Sequence, residues 1–414
     1  QALVETALDR QTSVHNHFLF KSCTMKASEL LCELLNAAEK SAELARAIRR
    51  EESLFHLLIE EKTGDDKGKR FGFDFKTLAD VLVQEMVRHD LEKKFPGLGK
   101  RVLGEENNKF TNTVGDTVTV EIKENRKKTH SVLTKILDGN DRAATVLTGL
   151  VHEEVTVPRP AQADQLDSVQ LDKKSIGLWI DPIDGTAEYI SGGRDPEFRP
   201  GETVSQNGLP NVTVLIGVFD KATGLPIMGV INQPFFRTMD GKAWTGRMVW
   251  GACLGDLRIW QTPGAAPNAD GDNSTAAAAN ASKPTVLTSM SDCKKLGTYL
   301  CESFDIRTAP GAGYKLLCVI DGLCSAYVLS KDNTYRWDTC APHAVLRAMG
   351  GGVVKQAPAL AAPQLTGDLS ELQVTYHKPE AKASGSNAWC NMQGVIAYRD
   401  AAIVARLAGS LARK

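Results

Sequence analysis

The segment Trp179-Ile180-Asp181-Pro182-Ile183-Asp184-Gly185-Thr186 has the residue types of a cation-holding turn. An apolar run from Ile176 to Ile180 reads as a short buried strand, and it ends on two carboxylates three residues apart. Pro182 fixes φ and Gly185 tolerates conformations other residues avoid, so together they are expected to stop the strand in a tight turn. Such a turn aims both Asp side chains and one intervening carbonyl at a single point. Hard oxygen ligands converging on a point are what Mg²⁺ requires. Thr186 adds a hydroxyl at the expected start of the next helix. The chemistry this suits is a metal-dependent phosphate-ester site. Asp, Pro and Gly also make ordinary Asx-type turns, so the rest of the chain must decide.

Further carboxylates stand where regular elements begin or end. Asp80 lies near a helix start, Glu105 and Glu106 follow a strand, and Asp338 opens a helix as a plausible N-terminal cap. Taken singly, each reads as a solvated or capping group. Other chemistries find no support. The eight histidines are scattered without zinc or nucleophile-elbow spacing, and His15 and His17 read as part of a solvated tail. His343 reads as a packing or surface residue. Cys340 has no evident basic neighbour and reads as a core thiol. Gly64-x-x-x-Gly68-Lys69-Arg70 is one residue short of a P-loop and follows a helix, which rules it out as one.

The 414 residues are enough for two domains or one extended layered unit. A net charge of −1 argues against a nucleic-acid partner, and no run is long and apolar enough to anchor in a membrane. Nine cysteines, an odd number without C-x-x-C, fit free thiols in a reducing compartment, so the protein is expected to be cytoplasmic. Residues 1–24 are expected to form a poorly ordered extension.

Helical periodicity covers 27–62, with one break allowed, and about 76–94. A strand over 101–103 leads into Gly104-Glu105-Glu106. Residues 110–175 read as a polar insertion with one helix near 129–151. Strands follow at 212–219 and 227–231 around a Gly-Leu-Pro turn, with another at 243–251. Residues 261–284 read as a low-complexity surface loop. The second half begins with a strand at 285–288 and a helix near 292–302. A Gly-rich turn at 311–315, an apolar helix and a strand at 326–329 come next. A helix opening at Trp337-Asp338 then runs to Met349 and stops at three glycines.

In order, Gly104-Glu105-Glu106, the 179–186 segment and Trp337-Asp338-Thr339-Cys340-Ala341 resemble the lithium-sensitive, magnesium-dependent phosphatase superfamily, which includes inositol monophosphatases and bisphosphate nucleotidases. Within it the chain looks most like the inositol polyphosphate 1-phosphatases, from about residue 27 to 408. The narrower resemblance rests on residues 75–84, 228–234, 311–315 and 347–353, and on the long gap from Glu105 to Asp181. It implies an α/β layered sandwich of the inositol monophosphatase and sugar phosphatase type. An N-terminal α+β half over 25–260 would carry most metal ligands. A C-terminal α/β half over 285–414 would carry the substrate loop and the last ligand.

By the same resemblance, Glu105, Asp181 and the carbonyl of Ile183 hold a first Mg²⁺, and Asp181, Asp184 and Asp338 a second. Asp80 and Thr186 orient the attacking water, with Glu106 just outside the ligand set. Asp184, Gly185, Thr186, Ser289, Gly311, Ala312 and Lys315 contact substrate, Lys315 as a point charge for a phosphate that is not cleaved. The pattern departs between Thr288 and Lys294. There the family places Ser followed two residues later by Lys, and here Ser289-Met290-Ser291-Asp292 intervenes. The implied reaction removes the 1-phosphate from inositol 1,4-bisphosphate and inositol 1,3,4-trisphosphate by metal-activated water, with Li⁺ as inhibitor. The alternatives are a bisphosphate nucleotidase acting on 3′-phosphoadenosine 5′-phosphate and an inactive inositide-binding homologue. The expected partner is a small-molecule inositol polyphosphate, with no nucleic acid and no membrane, and the protein is expected to be a monomer.

Overall fold

The structure is a computed structural model that describes residues 23–50, 59–62, 75–112, 114–193, 204–239, 243–263, 283–361 and 369–412. The tail, the near-P-loop at 64–70 and most of the 261–284 loop lie outside them. The N-terminal part contains β1 (Thr24–Lys26), α1 (Ala27–Arg50), β2 (Ile59–Glu61), β3 (Phe75–Thr77), α2 (Leu78–Lys94) and β4 (Val102–Gly104). A hairpin of β5 (Lys109–Thr111) and β6 (Thr117–Thr119) precedes α3 (Arg126–Ile136) and α4 (Asp141–His152). After β7 (Gln170–Asp172) come β8 (Ile176–Asp184), α5 (Thr186–Ser191), β9 (Thr213–Asp220), β10 (Pro226–Met239), β11 (Ala243–Leu254) and β12 (Leu257–Gln261). The C-terminal part contains β13 (Thr285–Thr288), α6 (Met290–Leu300), β14 (Asp305–Thr308), α7 (Ala312–Ile320), β15 (Ala326–Leu329) and α8 (Arg336–Ala348). It ends with β16 (Gly352–Lys355), α9 (Gln356–Ala361), β17 (Val395–Tyr398) and α10 (Ala401–Ala412).

These elements form helix and sheet layers in alternation, as expected. A six-stranded sheet runs β12-β11-β10-β9-β8-β4, antiparallel except for the β4–β8 edge. A five-stranded sheet runs β14-β13-β15-β17-β16, mixed in direction. Helices α1 and α2 cover one face of the larger sheet, and α8 covers the other. Helix α7 packs on α8 and touches both sheets, so the two helices form the middle layer. Helices α6 and α10 pack together at the smaller sheet.

Several expected boundaries shift for local reasons. The helical reading of 27–62 ends at Arg50 among the described residues, and Ile59–Glu61 is a strand paired antiparallel with β3. The single helix expected near 129–151 is two. Asp138 and Gly139 take positive φ between them, and the Asn140 side chain caps α4 by accepting the Ala143 N–H. Strands β12, β14, β16 and β17, of four or five residues each, were not anticipated.

One feature of the large sheet positions the site directly. Gly217 of β9, Gly229 of β10 and Gly251 of β11 are cross-strand partners in a row. A Cβ on Gly229 would stand 2.2 Å from the Ala341 carbonyl oxygen, and one on Gly217 would stand 2.6 Å from Cys340 Sγ. One on Gly251 would stand 2.9 Å from Val345 Cα. The row is therefore a trough in which the backbone of α8 lies, with Ala341, Val345 and Ala348 along one helix face. Gly229→Ala should overpack this contact and destabilise the protein by about 1–3 kcal/mol. Turnover should fall as well, because Asp338 precedes Ala341 by one turn. Gly149→Ala, with open space around the new methyl in α4, should be neutral or stabilising. Equal urea midpoints for Gly229→Ala and the parent would refute the trough.

Candidate active site

On a regular strand, residues three apart face opposite sides, so Asp181 and Asp184 should diverge. A bulge prevents this. Asp181 pairs with Leu215 and Asp184 with Thr213, so Pro182 and Ile183 together oppose Val214. The extra residue returns Asp184 to the side of Asp181. Strand β8 thus runs through Pro182, contrary to the expected stop there. Proline is tolerated because a bulge leaves a residue out of the ladder. The turn itself comes at Gly185, which takes φ +86° and delivers Thr186 as the first residue of α5. The Thr186 hydroxyl donates back to the Ile183 carbonyl at 3.0 Å.

The carboxylates of Asp181, Asp184 and Asp338 each offer an oxygen within 4.8 Å of the others, and all three are buried. Asp184 and Asp338 are held by different devices. Asp184 accepts the N–H groups of Ala312 (3.1 Å) and Gly313 (2.9 Å) at the start of α7, and the Thr213 hydroxyl at 3.1 Å. Asp338 is not the cap that was expected. It occupies the third position of α8, where it accepts the N–H of Tyr335, the capping residue, at 2.5 Å. Asp80 is likewise the third residue of α2, in a capping box with Thr77. Its Oδ2 accepts the Thr77 N–H (2.6 Å) and hydroxyl (2.7 Å). Glu106 is fixed through its backbone, which Gln84 brackets by receiving its N–H and donating to its carbonyl.

Burial raises the pKa of Asp181 well above the usual carboxylate range, and Glu105, Asp184, Asp338 and Asp80 push it further by repulsion. Asp338 is raised by burial and by Asp184. Asp184 is raised by burial, against the pull of Lys315. Burial lifts Asp80 to about 7, with Glu105 adding to it, and Glu106 to about 8. Four of the predicted acids, Glu105, Asp184, Asp338 and Asp80, thus stand close enough to Asp181 to repel it. Asp181 Oδ1 and Asp80 Oδ1 are buried without a hydrogen-bond partner. Oxygen donors forced together, with two oxygens unsatisfied, fit a small divalent cation. Among the described residues this is the group of three or more side chains able to hold one.

The cluster opens into a cleft of about 540 Å³, whose lining includes Glu105, Gly185, Thr186, Ser289, Gly311 and Lys315. Ala312 lines it as well. Lys315 is not a free point charge. Its ammonium donates to the carbonyls of Ala309 (3.0 Å) and Gly311 (2.6 Å), and burial lowers its pKa to about 8. Gly311 takes φ +70°, and a Cβ there would lie 2.9 Å from the Asn211 carbonyl. The departure from the family pattern has a structural reason. Asp292, fully buried, accepts the Ser330 N–H (2.5 Å) and hydroxyl (2.8 Å), tying α6 to the end of β15. Ser289 remains at the cleft, its hydroxyl 3.1 Å from that of Ser291.

Lys62 was not anticipated. It lines the cleft and bridges Glu105 at 2.5 Å and Glu106 at 2.6 Å. In sequence it closes an Ile-Glu-Glu-Lys run that reads as helix surface, so nothing local points to it. The stacked rings of Tyr335 and Trp337, 4.6 Å apart, also line the cleft. Cys340 is a buried thiol whose pKa burial raises, as expected of a core residue.

His343 is wholly buried on α8. Its Nε2 lies 2.8 Å from Gln373 Oε1, an oxygen that also accepts the Val353 N–H, and its Nδ1 lies 3.0 Å from the Tyr376 hydroxyl. Burial lowers its pKa to about 3. The unfolded chain therefore binds this proton from about pH 6.5 downward while the folded chain does not, so stability is full above that pH and lost below it. Between about pH 6.5 and 4, wild type should lose up to ~1.4 kcal/mol per pH unit more than His343→Gln. Urea unfolding of both proteins at pH 7 and pH 5 measures the difference, and parallel pH dependences would contradict it.

Residues 30–401 match the inositol monophosphatase family. The inositol polyphosphate 1-phosphatase of Mus musculus is 44% identical over 377 residues, covering 90% of this chain and 94% of that one. The Homo sapiens protein of that name is 42% identical over 382 residues, with coverage of 90% and 94%. The 3′(2′),5′-bisphosphate nucleotidase 1 of Rattus norvegicus is 28% identical over 285 residues, 67% of this chain and 70% of that one. With its bulged β8, its buried carboxylate cluster and a match over nearly the whole length, the chain belongs to the inositol monophosphatase family.

Proposed function

We propose that this protein is a Mg²⁺-dependent phosphatase that removes the 1-phosphate from inositol 1,4-bisphosphate and inositol 1,3,4-trisphosphate. The observation that carries this is the convergence of Asp181, Asp184 and Asp338 at one buried point beneath a cleft. Support for the substrate class comes from 44% identity, over 90% of the chain, to a protein named inositol polyphosphate 1-phosphatase. The nucleotidase alternative draws on a match of only 28% over 67% of the chain.

Glu105, Asp181 and the Ile183 carbonyl would hold one Mg²⁺, and Asp181, Asp184 and Asp338 another. Bound there, the cations supply charge neutralisation for the phosphate and acidify the attacking water. Positioning is left to the protein, which suits phosphoryl transfer, where little covalent chemistry is required of side chains. Gly185 and Thr186 offer backbone N–H groups to the phosphate where the chain turns into α5. Asp80 Oδ2 is committed to Thr77, which leaves Oδ1 to face the attacking water as a hydrogen-bond acceptor. The Thr186 hydroxyl, anchored on Ile183, orients the same water. Lys315 holds the 309–311 backbone against the cleft and places positive charge beside the substrate.

Asp181→Asn should abolish turnover yet raise the melting temperature in chelator, since it removes a charge repelled by four neighbours. A chelator should silence wild type, and Li⁺ should inhibit it. Near-normal turnover in Asp181→Asn or in excess chelator would remove the metal mechanism. Thr186→Ala should lower kcat on the order of 10²-fold with little change in KM. A raised KM alone would make Thr186 a substrate contact. Comparing inositol 1,4-bisphosphate with 3′-phosphoadenosine 5′-phosphate tests the substrate, and preference for the nucleotide would overturn it.

A further inference from the structure

We infer that Lys62 is a built-in counter-cation that neutralises Glu105 and Glu106 before metal binds and competes with Mg²⁺ for Glu105. The inference rests on the reading of Glu105 as a metal ligand. Its ammonium stands 2.5 Å from Glu105 Oε1 and 2.6 Å from Glu106 Oε1, and the lysine side chain is 4% exposed. Buried Glu106 is otherwise repelled by its half-buried neighbour Glu105 and by Asp80. An ammonium fits this position well as a strongly hydrated point charge on a long flexible stem. It can neutralise the pair without the fixed fork of a guanidinium.

The backbone immediately before Lys62 is anchored in a strand. Residues 59–61 pair with β3, which leads directly into α2 and Asp80. Glu60 accepts the Thr111 N–H at 3.0 Å, and Lys76 reaches both Glu60 (3.4 Å) and the Lys109 carbonyl (2.8 Å), so the β2–β3 ribbon is clamped to β5. A divalent cation on Glu105 and the ammonium on the same oxygen would repel each other at contact distance. The ammonium must therefore leave Glu105 when the cation arrives, and its tether keeps it at the cleft, which it lines. The consequence is a lower affinity for the first cation than the carboxylates alone would give, and a metal-free site that does not fly apart.

The test is calorimetric titration of Mg²⁺ alone, without substrate, into wild type, Lys62→Met and Lys62→Arg, with melting temperatures in chelator and in Mg²⁺. Lys62→Met should bind Mg²⁺ roughly tenfold or more tightly, the size of a hydrogen bond to a charged group. Its melting temperature should fall in chelator and recover with Mg²⁺, a larger metal-induced rise than in wild type. Lys62→Arg keeps the charge and should bind Mg²⁺ close to the wild-type affinity. Unchanged or weaker Mg²⁺ binding by Lys62→Met, with wild type binding normally, overturns the inference and leaves the metal site standing. So does a Lys62→Met protein that folds in neither condition, because Lys62 would then serve the fold. Absence of Mg²⁺ binding by wild type overturns the metal reading and this inference together.

Discussion

The close approach of α8 to the six-stranded sheet is the contact on which the site depends. Three cross-strand glycines remove the side-chain layer that normally separates a helix from a sheet, and the helix backbone settles into the gap. Asp338 is carried in the first turn of that helix, while Asp181 and Asp184 are carried by the neighbouring strand β8. Their oxygens meet within 4.8 Å because helix and sheet meet without Cβ atoms between them. Trp179 of β8, the cross-strand partner of Gly217, packs on Trp337 of the same helix.

A close-packed junction of this kind makes the electrostatics severe. Six carboxylates are drawn together, five of them buried, and three of the buried ones are held by hydrogen bonds that do not neutralise them. Backbone N–H groups serve Asp184, Asp80 and Asp338. Two lysines flank the cluster, Lys62 on Glu105 and Glu106, and Lys315 nearest Asp184. Its oxygens are thus preset for a cation before one binds, at a cost the surrounding helix ends and ammonium groups partly offset.

Legibility in the sequence followed the range of each interaction. The Asp-Pro-Ile-Asp-Gly-Thr turn, the capping positions of Asp80 and Asp338 near helix starts, and the core character of Cys340 were readable because neighbouring residues decide them. The exact capping role of Asp338 was misread, since Tyr335 rather than the carboxylate begins the helix, a one-turn question that composition does not resolve. The four-residue strands at 285–288 and 326–329 were legible as apolar runs, whereas those at 305–308, 352–355 and 395–398 and the break at Asp138 were not. Nothing local showed that the Lys315 ammonium donates to two carbonyls six and four residues upstream.

What the sequence by itself determined is the inventory: which carboxylates exist, their order, and the glycine at which β8 turns. It also determined alternating helix and sheet layers, because hydrophobic periodicity is a property of consecutive residues. Only the tertiary structure decided that Asp181 and Asp184 face the same way, since a bulge is defined by what lies on the partner strand. Only it decided that Gly217, Gly229 and Gly251 act as one trough, because their alignment is a matter of register between three strands. The pairing of Lys62 with Glu105 across 43 residues likewise depends on where β2 docks. Such facts belong to pairs of distant elements, and packing alone brings those pairs within bonding distance.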